Sequence, residues 1–261
     1  MSVKSNVLNV STGLNFFSPI SQLHYTLIEP PVITGDYIDL DLNAVFTLMG
    51  KPLVSLARPP PFSLPLSSGS GDSVVVLGIS EHLLNSVLAM AQQFGSFNFH
   101  VFRQTIAHQF PHPEPIGLKV TVRKAPIVTF FEGKAILSLH PSIEVVAAAS
   151  WTSASRSLFT LEVDVALVLR FAVTEVTLQA SVSPQGGLRF VLVSSRVGSV
   201  NVSWVTCLIA SAFEEALVAQ LNAVLSIGIN LPCLDNIKYV HPRTEVHKGY
   251  AAVSCGLDYA Q

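Results

Sequence analysis

Residues 202–225 read VSWVTCLIASAFEEALVAQLNAVL, and this stretch decides the fold. Val205, Leu208, Ile209, Ala212, Phe213, Ala216, Leu217, Gln220, Leu221 and Val224 recur at the spacing of one helical face, while Glu214 and Glu215 are the only charges. A helix on the surface of a domain carries a charged face opposite such a stripe. This one carries almost none, so the spacing predicts a long helix over about 202–225 that lies against apolar material for most of its length. Asn201 stands where an N-cap belongs. Leu208, Ala212, Phe213 and Leu217 turn inward on this reading, and Glu214 and Glu215 outward.

Working outward, a shorter helix is predicted over about 81–94. Ser80 caps it, and Gly95 takes the left-handed position that follows a helix. Leu83, Leu84, Val87, Leu88, Ala91 and Phe94 form one wide face. Most of the remainder reads as strands. Ile38, Leu40, Leu42 and Ala44 alternate with Asp39, Asp41 and Asn43, and Leu118, Val120 and Val122 alternate with Lys119, Thr121 and Arg123. A long strand-like run extends from Ser157 to Val173. Segments 175–183 and 187–195 are expected to form a hairpin about Pro184-Gln185-Gly186-Gly187. A last hairpin joins Thr244–His247 to Tyr250–Leu257 through Lys248-Gly249. Residues 58–71, rich in Pro, Ser and Gly, read as an exposed loop within one domain. Helices do not alternate with strands, so the fold class is α+β, a curled antiparallel sheet or barrel plugged by a long apolar helix and a shorter helix.

The composition narrows the function. Of 261 residues, 49% are hydrophobic and 12% charged, and the net charge is −2. That excludes a disordered chain and leaves no basic surplus for holding phosphates, so nucleic acid is not an expected partner. No stretch approaches 18 uninterrupted apolar residues, so no membrane-spanning helix is expected. Met1-Ser-Val-Lys-Ser-Asn6 lacks the basic start and apolar run of a signal peptide, and the expectation is an intracellular chain or a piece of a longer one. Cys207, Cys233 and Cys255 form no CxxC pair, and buried or half-buried thiols are the simplest reading.

Catalytic signatures are missing: there is no Walker loop, GxSxG, HExxH or GxGxxG. His108, His112 and Glu114 have metal-ligand spacing on a helix, but Pro111 and Pro113 break one there, so no metal and no cofactor is expected. His241 and His247 flank Pro242 in what reads as an exposed turn. Asn9 and Asn201 each begin an Asn-x-Ser glycosylation sequon, with capping as the competing role for Asn201.

Several stretches carry a resemblance. Thr26-Leu-Ile-Glu-Pro-Pro-Val-Ile-Thr-Gly-Asp-Tyr-Ile-Asp-Leu-Asp-Leu-Asn-Ala-Val45 resembles the opening of the C-terminal domain of the bactericidal/permeability-increasing protein (BPI) family. Val76-Leu-Gly-Ile-Ser-Glu-His-Leu-Leu-Asn-Ser-Val87 resembles the start of that domain's first helix, and Ser194-Ser-Arg-Val-Gly198 its "SSNVG" element. Leu231-Pro232, Tyr239-Val-His-Pro242 and Glu245-Val-His-Lys-Gly-Tyr-Ala-Ala-Val-Ser-Cys-Gly-Leu-Asp-Tyr259 are most similar to its family B member 2, BPI-like, branch.

The resemblance implies a super-roll fold in a secreted, glycosylated protein of mucosal innate defence. It implies a phospholipid or other acyl-chain ligand in an apolar pocket, no enzymatic activity, and peripheral contact with membranes. The pocket would be lined by Leu84, Val87, Leu88 and Ala91 of the first helix and Leu208, Ala212, Phe213 and Leu217 of the second. Residues 1–27 would be strands of a central sheet ending a first domain, and 28–261 the C-terminal lipid-binding domain, which makes the chain a fragment or shortened isoform. Relatives that bind lipopolysaccharide resemble one another in a basic tip on the first half. This chain has no basic run beyond Arg123-Lys124, which favours a ligand held by its tails. The family's disulfide belongs to the first half, so the three cysteines lie outside that pattern. A scaffold domain whose apolar surface packs on another domain or chain is the competing function.

One departure from the family generates a prediction. Arg103-Gln-Thr-Ile-Ala-His-Gln-Phe-Pro111 follows Phe102 at once, where the family carries a further loop of roughly twenty residues; losing it would leave strand edges uncovered and promote self-association. The chain is therefore expected to melt lower, and to form more oligomer in size-exclusion chromatography with light scattering, than a version with a family-like loop restored. A monodisperse short form that melts as high would refute this.

Overall fold

The computed structural model describes residues 12–13, 21–48, 51–52, 62, 64, 75–103, 116–147, 156–174, 177–232 and 237–259. In chain order the first strands are Thr12–Gly13 (β1), Ser21–Leu27 (β2), Val32–Ile33 (β3), Ile38–Asp39 (β4), Leu42–Leu48 (β5), Lys51–Pro52 (β6) and Val75–Ser80 (β7). Helix α1, Glu81–Gln93, follows. Then come Phe99–Arg103 (β8), Ile116–Thr121 (β9), Ile127–Phe131 (β10), Lys134–Leu139 (β11), Ser142–Ala147 (β12), Arg156–Thr174 (β13), Thr177–Pro184 (β14) and Arg189–Ser195 (β15). Helix α2, Val202–Leu225, precedes Ile229–Asn230 (β16), Ile237–His247 (β17) and Tyr250–Tyr259 (β18).

The fold is α+β with antiparallel pairing throughout the described strands. Its centre is β13, whose 19 residues are long enough to pair with two strands on each side. β11 and β12 follow one another along one side, and β14 and β15 along the other. Leu161, Val163, Val165, Leu167 and Leu169 alternate inward and are buried, while Glu162, Asp164 and Arg170 face out. β9 and β8 extend the sheet beyond β12, β10 extends it beyond β11, and β16 beyond β14, giving nine strands. Among the described residues β8 and β10 do not pair with each other, so the sheet curls without closing.

The expected hairpin about Pro184-Gln185-Gly186-Gly187 is not formed. β14 and β15 both pair with β13, and the segment between them steps along β13 instead of folding back. The hairpin partners are β13 and β14, with Thr174 opposite Thr177. The alternation at 38–44 is also interrupted. Leu42 and Ala44 are half-buried against the core, but Ile38 is 65% exposed and Leu40 45% exposed. Ile38 belongs to the short β3–β4 hairpin, a separate two-stranded sheet, and Leu40 lies in the link from β4 to β5.

The helices form where the spacing places them. Ser80 Oγ accepts from Leu83 N at 3.2 Å, and Gly95 has φ +70. α2 buries Phe213 completely, turns Glu215 to solvent and leaves Glu214 half-buried. Neither helix packs by apolar contact alone. Asn85 of α1 donates to Val128 O at 3.0 Å and accepts from Val128 N at 2.7 Å, and Glu81 accepts from Phe130 N at 2.8 Å. These bonds occupy the outer edge of β10. Asn222 of α2 does the same on β14, accepting from Val182 N at 2.7 Å and donating to Val182 O at 3.3 Å.

A third sheet, β17-β18-β7, abuts the turn between β10 and β11, where Gly133 N donates to Val246 O at 2.8 Å. His247 lies at this junction and is not the exposed turn residue expected: Nδ1 is 3.0 Å from Glu132 Oε1, and the ring stacks on Tyr250. His241 is exposed, with φ 50 at the irregularity that Pro242 makes in β17. Cys255 is buried beside β7 and its desolvated thiol is pushed up in pKa; Cys207 is exposed, contrary to expectation. Asn201 is exposed and immediately precedes α2. Cys233, Asn9, His108, His112, Glu114, residues 104–115 and all of the expected loop 58–71 but residues 62 and 64 lie outside the described residues. No helix among the described residues is long and apolar enough to cross a membrane.

α2 ends in a sharp reversal at Gly228. Its φ is +79, and a Cβ there would lie 2.5 Å from Thr177 Cγ2 and 2.7 Å from Leu178 O. Gly228→Ala would combine left-handed strain with a backbone clash, at a cost of about 2–4 kcal/mol. A fall in Tm of several degrees by calorimetry is expected; an unchanged Tm would show that the reversal is not constrained as described.

Candidate functional site

Helix α1 presents Leu84, Val87, Leu88 and Ala91 to the interior because its wide apolar face recurs every three or four residues. The last turn of α2 presents Val224 and Leu225. The two helices are tied where the turn after α1 meets α2: Gln220 Nε2 donates to Ser96 O at 2.8 Å. Between them lies a cavity of about 40 Å³. Leu169 and Phe171 of β13, Leu178 and Ala180 of β14, and Val128 of β10 form its floor, and Gly228 and Ile229 close the remaining side. Phe171 is held edge-on against Phe130, with ring centroids 5.7 Å apart. No lining residue is charged or has a polar side chain. The lining has no group for acid–base or nucleophilic chemistry.

Of the residues expected to line a pocket, Leu84, Val87, Leu88 and Ala91 meet at this cavity. Ala212, Phe213 and Leu217 are buried earlier along α2, where Phe213 packs edge-on against Phe190 at 6.0 Å, and they are not in the cavity wall. The side chain of Leu208 lies outside those described. The α2 contribution comes instead from Val224 and Leu225. The spacing along a uniformly apolar helix could not say which turn faces the void. Gly228 and Ile229 carry no helical or strand periodicity, and only the turn chemistry of glycine marked them. No group of three or more His, Cys, Asp or Glu residues among those described is arranged to hold a metal.

Segment 226–232, of which Gly228 and Ile229 line the cavity, is bonded to other elements. Tyr25 of β2 donates its hydroxyl to Asn230 O at 2.7 Å. Thr177 Oγ1 donates to Asn230 Oδ1 at 3.2 Å, and the Tyr239 hydroxyl donates to Pro232 O. Burial, and then the neighbouring Tyr239, push the Tyr25 phenol well above its ordinary pKa, so it stays protonated and keeps donating.

Residues 96–259 match the profile of the LBP / BPI / CETP family, C-terminal domain. The chain is 37% identical over 270 residues to BPI fold-containing family B member 2 of Homo sapiens, covering 97% of this chain and 59% of that protein. It is 36% identical to the Mus musculus protein of the same name, covering 97% and 58%. A crystal structure of lipopolysaccharide binding protein superposes with a TM-score of 0.53 at 18% identity, covering 97% of this chain and 57% of that one, and so shares its fold. The chain spans less than two thirds of the length of these relatives.

Because Ala212 sits in packed core outside the cavity, Ala212→Trp would overpack its surroundings at about 1–3 kcal/mol. A lowered urea midpoint is the expected outcome; a variant as stable as the parent would reveal room beside α2 that the packing does not show.

Proposed function

The chain belongs to the LBP / BPI / CETP family, and on that premise we propose that it is a lipid-binding module that holds a phospholipid or other acyl-chain ligand by its tails. The observation that supports this is the cavity between α1, the end of α2 and the sheet, whose lining is wholly apolar. A tail of about sixteen carbons would gain on the order of 13 kcal/mol gross at roughly 0.8 kcal/mol per methylene. That gross gain is set against an association cost of roughly 4–15 kcal/mol. The void of about 40 Å³ takes only a few methylenes, whereas ligand pockets run to roughly 300–1,000 Å³, so uptake on this reading widens it. Residues 1–27 would belong to a sheet shared with a preceding half. Secretion, glycosylation at Asn9 or Asn201, membrane contact and a role in mucosal defence rest on the family likeness and form part of the same proposal.

A second reading is favoured by a separate observation. Ile28, Val32, Ile33, Tyr37, Ile38 and Leu40 are all exposed on and around the β3–β4 hairpin. A scaffold domain that docks another domain or chain there would need no small ligand.

Solvent extraction of the purified chain followed by mass spectrometry separates the two: co-purified lipid is expected, and a clean absence favours the scaffold. Ala91→Leu places extra carbons in the cavity and should weaken binding of a pyrene-labelled phosphatidylcholine by about tenfold, a difference of roughly 1.4 kcal/mol, with little change in Tm. Unchanged binding by this variant would place the tail elsewhere.

A further inference from the structure

We infer that residues 226–232 form a strap that shuts the cavity, and that Tyr25, by holding Asn230 from the neighbouring sheet, is the positioning residue that sets how often the strap opens. This rests on the lipid-binding reading. Several observations support it. A tail cannot enter a void of about 40 Å³ unless one wall moves. The floor is continuous strand pairing along β13. α1 and α2 are each fixed by an asparagine bonded to both backbone groups of a strand-edge residue.

The strap is held differently. Its pairing with β14 spans two residues, Ile229 opposite Leu178 and Asn230 opposite Thr177. Ile227 is 48% exposed, whereas the next two residues, Gly228 and Ile229, line the cavity. This short segment is therefore one barrier between solvent and void, beside the partly exposed Phe171, Ala180 and Leu225 of the lining. Segments with few backbone pairings open locally far more often than a sheet interior does. Beyond those two pairings, the Ser226 N bond to Asn222 O at 2.9 Å and the burial of Ile229 and Leu231, the strap is held by side-chain bonds from Thr177, Tyr239 and Tyr25. Tyr25 is the one of these that comes from the four-stranded sheet, 205 residues away in sequence. Its ring is buried, so its hydroxyl spans the boundary between that sheet and the cavity wall.

The test is Tyr25→Phe, which removes one oxygen and keeps the ring. Losing one buried hydrogen bond changes a local opening equilibrium by roughly tenfold. Stopped-flow transfer of pyrene-labelled phosphatidylcholine from phosphatidylcholine vesicles is expected to show uptake and release both faster by about that factor, with Kd nearly unchanged, because a latch acts on access and not on the bound tail. Hydrogen exchange gives a second readout that needs no lipid. In the parent chain the Ile229 and Asn230 amides should exchange faster than those of β13, and in Tyr25→Phe faster again. Unchanged transfer rates in a variant that binds the probe would overturn the latch. So would faster release alone with weakened Kd, which would make Tyr25 a ligand contact or a purely structural residue. If the parent chain itself fails to take up the probe, the lipid-binding reading fails and the latch fails with it.

Discussion

A curled sheet that does not close must dispose of the backbone groups along its edges, and this requirement governs where everything else can sit. An unpaired N–H or C=O shut away from water costs on the order of 1–3 kcal/mol. Here side chains on and beside the two helices meet that need. Asn85 gives Val128 both a donor and an acceptor, and Asn222 does the same for Val182. Asn98 accepts from Val122 N just beyond β9, and Gln92 donates to the carbonyls of Val122 and Arg123. Each side chain imitates a missing strand for one residue. Asn85 and Asn222 also fix the height and rotation of the helices that carry them.

The cavity follows from that arrangement. Apolar burial alone is non-directional and would let α1 and α2 slide until the interior filled. The amide clips oppose this, since moving either helix along its axis would abandon a buried pair of hydrogen bonds. The helices therefore stay where edge bonding puts them, and a gap remains between the inner face of α1 and the last turn of α2. The gap is lined by hydrocarbon because clipping uses the helix flanks, leaving the inward faces to Leu, Val and Ala.

The helices were legible because their signals are local. Ser80 and Gly95 bracket α1, and the charge-poor stripe between Val202 and Leu225 leaves no alternative to a buried helix. The course of β13 was legible from its length and its scarcity of charge. The hairpin that did not form shows the limit of turn chemistry: Pro184-Gln185-Gly186-Gly187 permits a reversal or a step, and the register along β13 decides between them. Ile38 and Leu40 alternate with acids as a half-buried strand would, yet the partner that would bury them is not among the described strands. At the site, the inner face of α1 was readable because polar residues delimit it. α2 offers apolar side chains in nearly every direction, so its sequence could not single out Val224 and Leu225 over Ala212 and Phe213. The clips were invisible for a related reason: an asparagine in a helix reads as a mild helix breaker until the strand edge it meets is known.

The bond from Tyr25 to Asn230 spans 205 positions, and that separation orders events on the ribosome. At about 5–20 residues per second, roughly 10–40 s pass between the synthesis of its two ends. β2 and β5 can zip together early, since they lie close in the chain, whereas their tie to the far wall must await the strand that follows α2. The tie between the four-stranded sheet and the cavity wall is thus a late event of biogenesis, made only once Asn230 has cleared the exit tunnel.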